Sequence, residues 1–235
     1  MSTLAIAEAG VRVEIGEICL DTDADVVLES AEALLNAEEH ARAASFVFPI
    51  DRDRFVRGRG YLRRRLGLAL RMAPKDVPLA ARKNGKPFVV GHGVRFNLSN
   101  SGGRTVFALS SGGDVGIDLE IVDRWDRLDE QLDGLAQMCL TAEEQSALAK
   151  LPQRRRVRRF LSYWTAKEAR MKLTGEGFGL DPLDISLELS DGRPVGYRRP
   201  SAPDAELRFI QLSHPDSICC LAVGRGQQAS PRPRK

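Results

Sequence analysis

Val94-Arg-Phe-Asn-Leu-Ser99-Asn100-Ser101-Gly-Gly103-Arg-Thr105-Val-Phe-Ala-Leu-Ser110-Ser-Gly-Gly-Asp-Val115-Gly-Ile-Asp118-Leu-Glu120-Ile121 reads as three strands and two turns. Residues 94–99, 105–110 and 115–121 are β-rich runs, and Ser101-Gly-Gly and Ser111-Gly-Gly-Asp are turn signals. Connections this short join antiparallel neighbours, so the stretch is expected to form a meander. Val115, Ile117, Leu119 and Ile121 alternate onto one face, while Asp118 and Glu120 share the other. Two carboxylates about 7 Å apart on one face repel each other, and a divalent cation would offset that repulsion. The same pattern also suits the exposed polar face of an edge strand.

Outward from this stretch, Val11–Leu20 alternates as a further strand, with Val11, Val13 and Ile15 on one face. Ser30–Ala44 is rich in Ala and Glu and reads as helix. Arg52–Arg71 reads as a longer basic helix that Pro74 follows. On the other side, Leu128–Leu140 is helical, and Thr141 with Glu144 forms a capping box for the next helix. Pro152 opens a long basic helix that ends near Gly175. Residues 185–189, 206–211 and 218–223 are expected strands. The order of elements is strand, helices, strands, then helices and strands again. The expected fold class is α+β, with two similar halves in one chain, each a small antiparallel sheet and a long helix. The halves are placed at 1–112 and 113–224, and the polar 225–235 is expected to be a disordered tail.

Composition excludes several classes. With 43% hydrophobic and 29% charged residues, the 235-residue chain can bury a core and is not a disordered or low-complexity protein. No run of about 18 apolar residues is present, so no membrane helix is expected. The first basic residue is Arg12, which argues against a secretory leader. Four cysteines without a C-x-x-C pair fit a reducing, cytoplasmic setting. Three scattered histidines leave little material for a His metal site or a Ser-His-Asp triad. Charge falls in blocks: residues 1–50 hold 2 basic and 10 acidic residues, and residues 51–100 hold 13 and 3. Alternating blocks suit a cleft with both carboxylates and anion-binding cations, and equally a solvated surface.

Three further segments carry chemistry-bearing residues. Trp164, Glu168 and Lys172 recur at i, i+4 and i+8 on one helix stripe. That is either a stripe entering a polar site or an amphipathic helix with a surface ion pair. Arg82-Lys83-Asn84-Gly85-Lys86-Pro87 sets three cations around an Asn-Gly turn, as a phosphate-gripping loop or an exposed hairpin tip. Phe96-Asn-Leu-Ser99-Asn100-Ser101 delivers small polar side chains into a Gly turn that could approach an anion, but it is not a Walker loop.

In order and spacing, Gly-Lys86-Pro, Phe-Asn-Leu-Ser99-Asn100-Ser, Gly-Ile-Asp118-Leu-Glu120 and Trp164-x-x-Lys-Glu168-Ala-x-x-Lys172 resemble the 4′-phosphopantetheinyl transferases. The similarity is to the long surfactin-synthetase-activating type, over about residues 30–190. The resemblance implies two pseudo-symmetric halves with coenzyme A between them. It also implies transfer of the 4′-phosphopantetheine arm to a serine of an apo acyl or peptidyl carrier protein, with release of 3′,5′-ADP. By resemblance, Asp118, Glu120 and Glu168 match Mg²⁺ ligands, Lys172 matches a pyrophosphate contact, and Glu168 becomes the candidate general base. Arg42, Lys83, Lys86, Ser99 and Asn100 look like coenzyme A contacts. Asn100 stands where many members have histidine and cannot become cationic, so a charged contact to the 3′-phosphate falls to Arg42, Lys83 or Lys86. A cytoplasmic monomer with no nucleic-acid or membrane partner is expected. Arg63–Arg65 and Arg154–Arg159 are available to meet an acidic carrier, or are solvated helix faces. The competing readings are another Mg²⁺-dependent phosphodiester enzyme and a non-catalytic basic binding module.

Overall fold

The computed structural model describes residues 2–8, 11–22, 27–82, 85–125, 131–175, 179–198 and 205–224. Two antiparallel sheets dominate. The first has the order β1 (Ser2–Glu8), β2 (Val11–Cys19), β6 (Arg104–Ser110), β5 (Arg95–Ser101). The second has the order β10 (Ala205–Phe209), β11 (Ser217–Gly224), β7 (Val115–Ile121). Two hairpins, β3–β4 (Leu79–Ala81, Pro87–Val89) and β8–β9 (Leu187–Ser190, Arg193–Tyr197), lie beside them. Helix α3 (Pro49–Leu70) covers the first sheet and α6 (Gln153–Thr174) the second, each 22 residues long.

The expected α+β class holds, but the meander does not extend to its third strand. β6 is already flanked by β5 and β2, as in Leu98↔Phe107 and Ile15↔Ala108, so it has no free edge for β7. β7 pairs with β11 instead, with Asp118 opposite Cys220. Its apolar face still goes where alternation sends it. Val115, Ile117, Leu119 and Ile121 are buried with Val13 and Ile15 of β2, Val106 and Ala108 of β6, and Cys219, Leu221 and Val223 of β11. This middle layer joins the two sheets face to face, giving the layer order α3, sheet, sheet, α6. Each large aliphatic side chain buried there contributes roughly 1.5–3 kcal/mol.

Two of the helix starts follow capping-box chemistry. Ser30–Ala44 is two helices rather than one, α1 (Leu28–Glu32) and α2 (Ala37–Ala44). Asn36 breaks the run because its side chain caps Glu39 N while Glu39 returns the bond to Asn36 N. Thr141 and Glu144 make the expected box at α5 (Ala142–Ala149), which follows α4 (Leu132–Cys139). The halves echo each other here. Each capping-box glutamate also receives a buried cation from the long helix of its half. Arg63 Nε meets Glu39 Oε2 at 2.6 Å, and Lys167 Nζ meets Glu144 Oε2 at 2.8 Å. Removing one member of such a pair would leave the other charged and buried, which is strongly destabilising.

One glycine sets the distance between α6 and β7. A Cβ on Gly116 would lie 2.0 Å from Ala169 O and 2.4 Å from Leu173 N, both backbone atoms of α6. We expect Gly116→Ala to push the helix off the strand and destabilise the protein by about 2–4 kcal/mol, read as a lowered denaturant midpoint. An unchanged midpoint would show that the close approach is not required.

Candidate active site

β5 and β7 lie side by side and are joined by side chains rather than a backbone ladder. Asn97 Oδ1 accepts from Ile117 N at 2.8 Å, and Ser101 Oγ accepts from Ile121 N at 3.2 Å. The constant offset of 20 residues means that the two strands run parallel. Between these bonds, Ser99 Oγ donates to Asp118 Oδ1 at 2.8 Å, and Ser101 Oγ donates to Glu120 Oε2 at 3.1 Å. The small polar residues at alternate positions of β5 thus hold β7 and its carboxylates in place.

The close packing at Gly116 lays α6 over these carboxylates. Lys172 Nζ reaches Asp118 Oδ1 at 2.5 Å and Ser99 Oγ at 3.0 Å. Asp118 is 4% exposed, and its Oδ2 is buried with no hydrogen-bond partner among the described residues. Burial, with the Asp118 charge second, raises the Glu120 carboxyl above its ordinary range against the bonds from Trp125 Nε1 and Ser101. Glu168 is half-buried and pushed up to about 7, chiefly by burial and then by Asp118, with Lys172 acting in the opposite direction. Three mutually repelling carboxylates and one ammonium therefore occupy this pocket, and a buried oxygen is left unsatisfied. Among the described residues, no group of three or more His, Cys, Asp or Glu side chains is placed to hold a metal ion by itself, so Asp118, Glu120 and Glu168 do not form a ready three-carboxylate site.

The other face of β5 opens on a cavity of about 410 Å³, lined by Phe46, Phe55, Arg59, Asn100, Gly102 and Arg124 among others. Phe46 and Phe55 are 5.4 Å apart, and the guanidinium groups of Arg42 and Arg59 sit over Phe46 and Phe55 at 5.2 and 5.6 Å. Such a cavity offers stacking and positive charge together, as a phosphorylated ring system would need. Strand alternation thus divides the labour: Asn100 faces the aromatic cavity, while Ser99 and Ser101 face the carboxylates. Arg124 lines the cavity and reaches Ser101 Oγ at 3.5 Å, so the two regions adjoin.

The structure therefore brings Ser99, Asp118, Glu120, Glu168 and Lys172 into one polar cluster, with Arg42 and Asn100 around the neighbouring cavity. Lys86 is placed differently. Its ammonium donates to Lys172 O at 2.7 Å, Leu173 O at 2.9 Å and Val115 O at 3.4 Å, capping the C-terminal turn of α6 from the other half. Burial lowers it to about 8, with Asp114 opposing. Lys83 lies outside the described residues, as does the segment 225–235. Trp125 and Arg124 were not singled out in the sequence, and Ser101 was quoted with its segment but given no role of its own. Ser101 could have been found by its i+2 spacing from Ser99, whereas Trp125 reaches Glu120 only because the chain turns back after β7.

A carboxylate-and-lysine cluster beside an aromatic, arginine-lined cavity has the chemistry to meet an anionic, phosphate-bearing group. Sequence comparison agrees with that chemistry. Residues 114–222 match the family model described as the 4′-phosphopantetheinyl transferase superfamily. The chain is 36% identical over 201 residues to 4′-phosphopantetheinyl transferase HetI of Nostoc sp., covering 83% of this chain and 80% of that protein. It is 30% identical over 211 residues to a phosphopantetheinyl transferase of Thraustochytrium sp., covering 85% and 73%. It is 29% identical over 181 residues to 4′-phosphopantetheinyl transferase psf-1 of Bacillus pumilus, covering 77% and 75%. The chain belongs to the 4′-phosphopantetheinyl transferase superfamily and is an enzyme of that transferase class. Among the described residues, no helix is long and apolar enough to cross a membrane.

Proposed function

We propose that this enzyme transfers the 4′-phosphopantetheine moiety of coenzyme A to a serine of an apo acyl or peptidyl carrier protein, with Mg²⁺, releasing 3′,5′-ADP. The observation that carries the proposal is the cluster of Asp118, Glu120, Glu168 and Lys172 beside the Phe46–Phe55 cavity. In this reading the halves are 1–112 and 113–224, the nucleotide lies in the Phe46–Phe55 cavity of the first half, which Arg124 of the second half adjoins, and the enzyme works as a cytoplasmic monomer. Arg42 and Asn100 would contact its phosphates, with Lys83 as a further cation.

The donor set fits a hard divalent cation. Asp118 Oδ2, unpartnered among the described residues, and the half-buried, mutually repelling Glu120 and Glu168 supply oxygen ligands and uncompensated charge. Mg²⁺ commonly takes one or two carboxylates together with substrate phosphates and water, so a closed protein cage is not needed. Asp118 and Glu120 would hold the ion, with Glu168 alongside. When bound, the ion supplies charge neutralisation at the pyrophosphate.

The chain's own residues account for the rest. Lys172 is held by Asp118 and Ser99 where it can neutralise a phosphate oxygen. Glu168, raised to about 7, can accept the proton of the attacking serine hydroxyl near neutral pH, directly or through a water. The oxygen attacks the pantetheine-bearing phosphorus, the pyrophosphate bond breaks, and 3′,5′-ADP leaves with that electron pair. Since the nucleophile belongs to the partner, no serine or cysteine of this chain needs activation. The test is mass analysis of an apo carrier incubated with the enzyme, coenzyme A and Mg²⁺. An unmodified carrier would overturn the reading.

A further inference from the structure

Far from the carboxylates, the first three turns of α6 form one wall of a groove. Two adjoining cavities, of about 630 and 270 Å³, share Arg158, Ser162 and Phe209 and make it continuous. The outer cavity is lined by Arg154, Arg155, Arg158, Arg159 and Arg193, with Phe209 and Val195 exposed among them. Among the described residues, no carboxylate lines either cavity. Arg158 is paired at the rim with Asp216 at 3.5 Å, and Arg159 donates to Gly192 O. Arg154, Arg155 and Arg193 are exposed and have no ion-pair partner among the described residues.

This charge does not serve the helix. Cations in the first turn oppose the helix dipole, and α6 has no acidic residue there, whereas α2 and α5 each have two. The inner end of the groove is walled by Ile218 and Cys219 of β11. Ile218 is the direct cross-strand partner of Glu120, so the groove ends one strand from the carboxylate cluster. Its outer arginines lie farther along the same helix. Arg158 is ten residues from Glu168, which is about 15 Å of helix. A protein docked by a standard-sized patch covers that span.

We infer that this groove docks the acidic carrier domain, with carboxylates meeting Arg154, Arg155 and Arg193 and an apolar side chain meeting Phe209. The docked domain would then present its serine toward Glu168. The inference rests on the proposed transfer for the identity of the partner. Its charge and apolar anchor come from the groove itself.

The test separates docking from chemistry. A fluorescently labelled apo acyl carrier protein, with its serine replaced by alanine, is titrated with the full-length enzyme and followed by anisotropy. The triple variant Arg154→Glu/Arg155→Glu/Arg193→Glu should bind at least tenfold more weakly, and the triple Gln variant less tightly than wild type. Added salt should weaken wild-type binding more than variant binding. In turnover with the unaltered carrier, the Glu variant should raise the carrier KM while leaving the coenzyme A KM and kcat within about twofold. Equal carrier binding by wild type and both variants, or no binding by wild type, would overturn the docking surface. A labelled single-stranded oligonucleotide that displaces the carrier at equal concentration would overturn it in favour of a general polyanion groove. Carrier binding without any transfer would leave the docking surface standing and overturn the proposed reaction instead.

Discussion

Asp118→Asn is expected to lower transfer to the carrier by about 10³-fold or more while leaving the protein folded. The substitution keeps the size of the side chain and an oxygen for Ser99, but removes the charge that faces Lys172 and the buried Oδ2. The loss comes from two sources. The cation site loses an anionic ligand, and Lys172 loses the partner that fixes its ammonium at 2.5 Å. A unit charge 4 Å from an anion is worth about 4 kcal/mol at an effective dielectric near 20 but only about 1 in water, so misplacing two such charges in a shielded site accounts for the size of the effect. Steady-state transfer kinetics, with circular dichroism to confirm folding, check it. A folded variant within tenfold of wild type would remove Asp118 from the chemistry.

The second large effect is expected at Glu168. Glu168→Gln should lower kcat by about 10²–10⁴-fold, the range for removing a general base, while coenzyme A binding measured by calorimetry persists. The pH dependence should change as well. A carboxyl raised to about 7 is protonated, and inactive as a base, at lower pH. Wild-type kcat/KM should therefore fall on the acidic side, with a midpoint at or below about 7, because a bound cation pulls that value down. The Gln variant should lose this limb. Turnover like wild type in a variant that still binds Mg²⁺ and coenzyme A would assign the proton to another group.

Much of this site was legible because its signals are local. The alternation of Val115–Ile121 gave the faces of β7 correctly, and the i, i+4, i+8 spacing put Glu168 and Lys172 on the stripe that meets it. Thr141 and Glu144 announced a helix start through chemistry contained in four residues. Asn36 and Glu39 carry the same signal, and reading Ser30–Ala44 as one helix passed over it.

What the sequence did not reveal depends on distant partners. Period-two alternation says which way a side chain points but not which strand lies beside it, so the pairing of β7 with β11 was invisible. Strand β1 was not foreseen, because its partner β2 supplies the edge that defines it. Lys86 sits in a cation-rich turn that suits a phosphate, yet its ammonium reaches three carbonyls at the end of α6. Arg63 reads as a carrier-facing or solvated cation in a basic run and Lys167 carries no reading of its own, yet both are buried against capping-box glutamates, which only the packing of neighbouring helices decides.

The most direct measurement of the central claim is intact-mass analysis of an apo carrier protein after incubation with the enzyme, coenzyme A and Mg²⁺, with nucleotide products quantified from the same reaction. The account predicts one phosphopantetheine added to the carrier serine and an equal amount of 3′,5′-ADP, with neither formed when EDTA is present or when Asp118→Asn replaces the wild type. An unmodified carrier with folded enzyme, or modification that survives EDTA and Asp118→Asn unchanged, would contradict it.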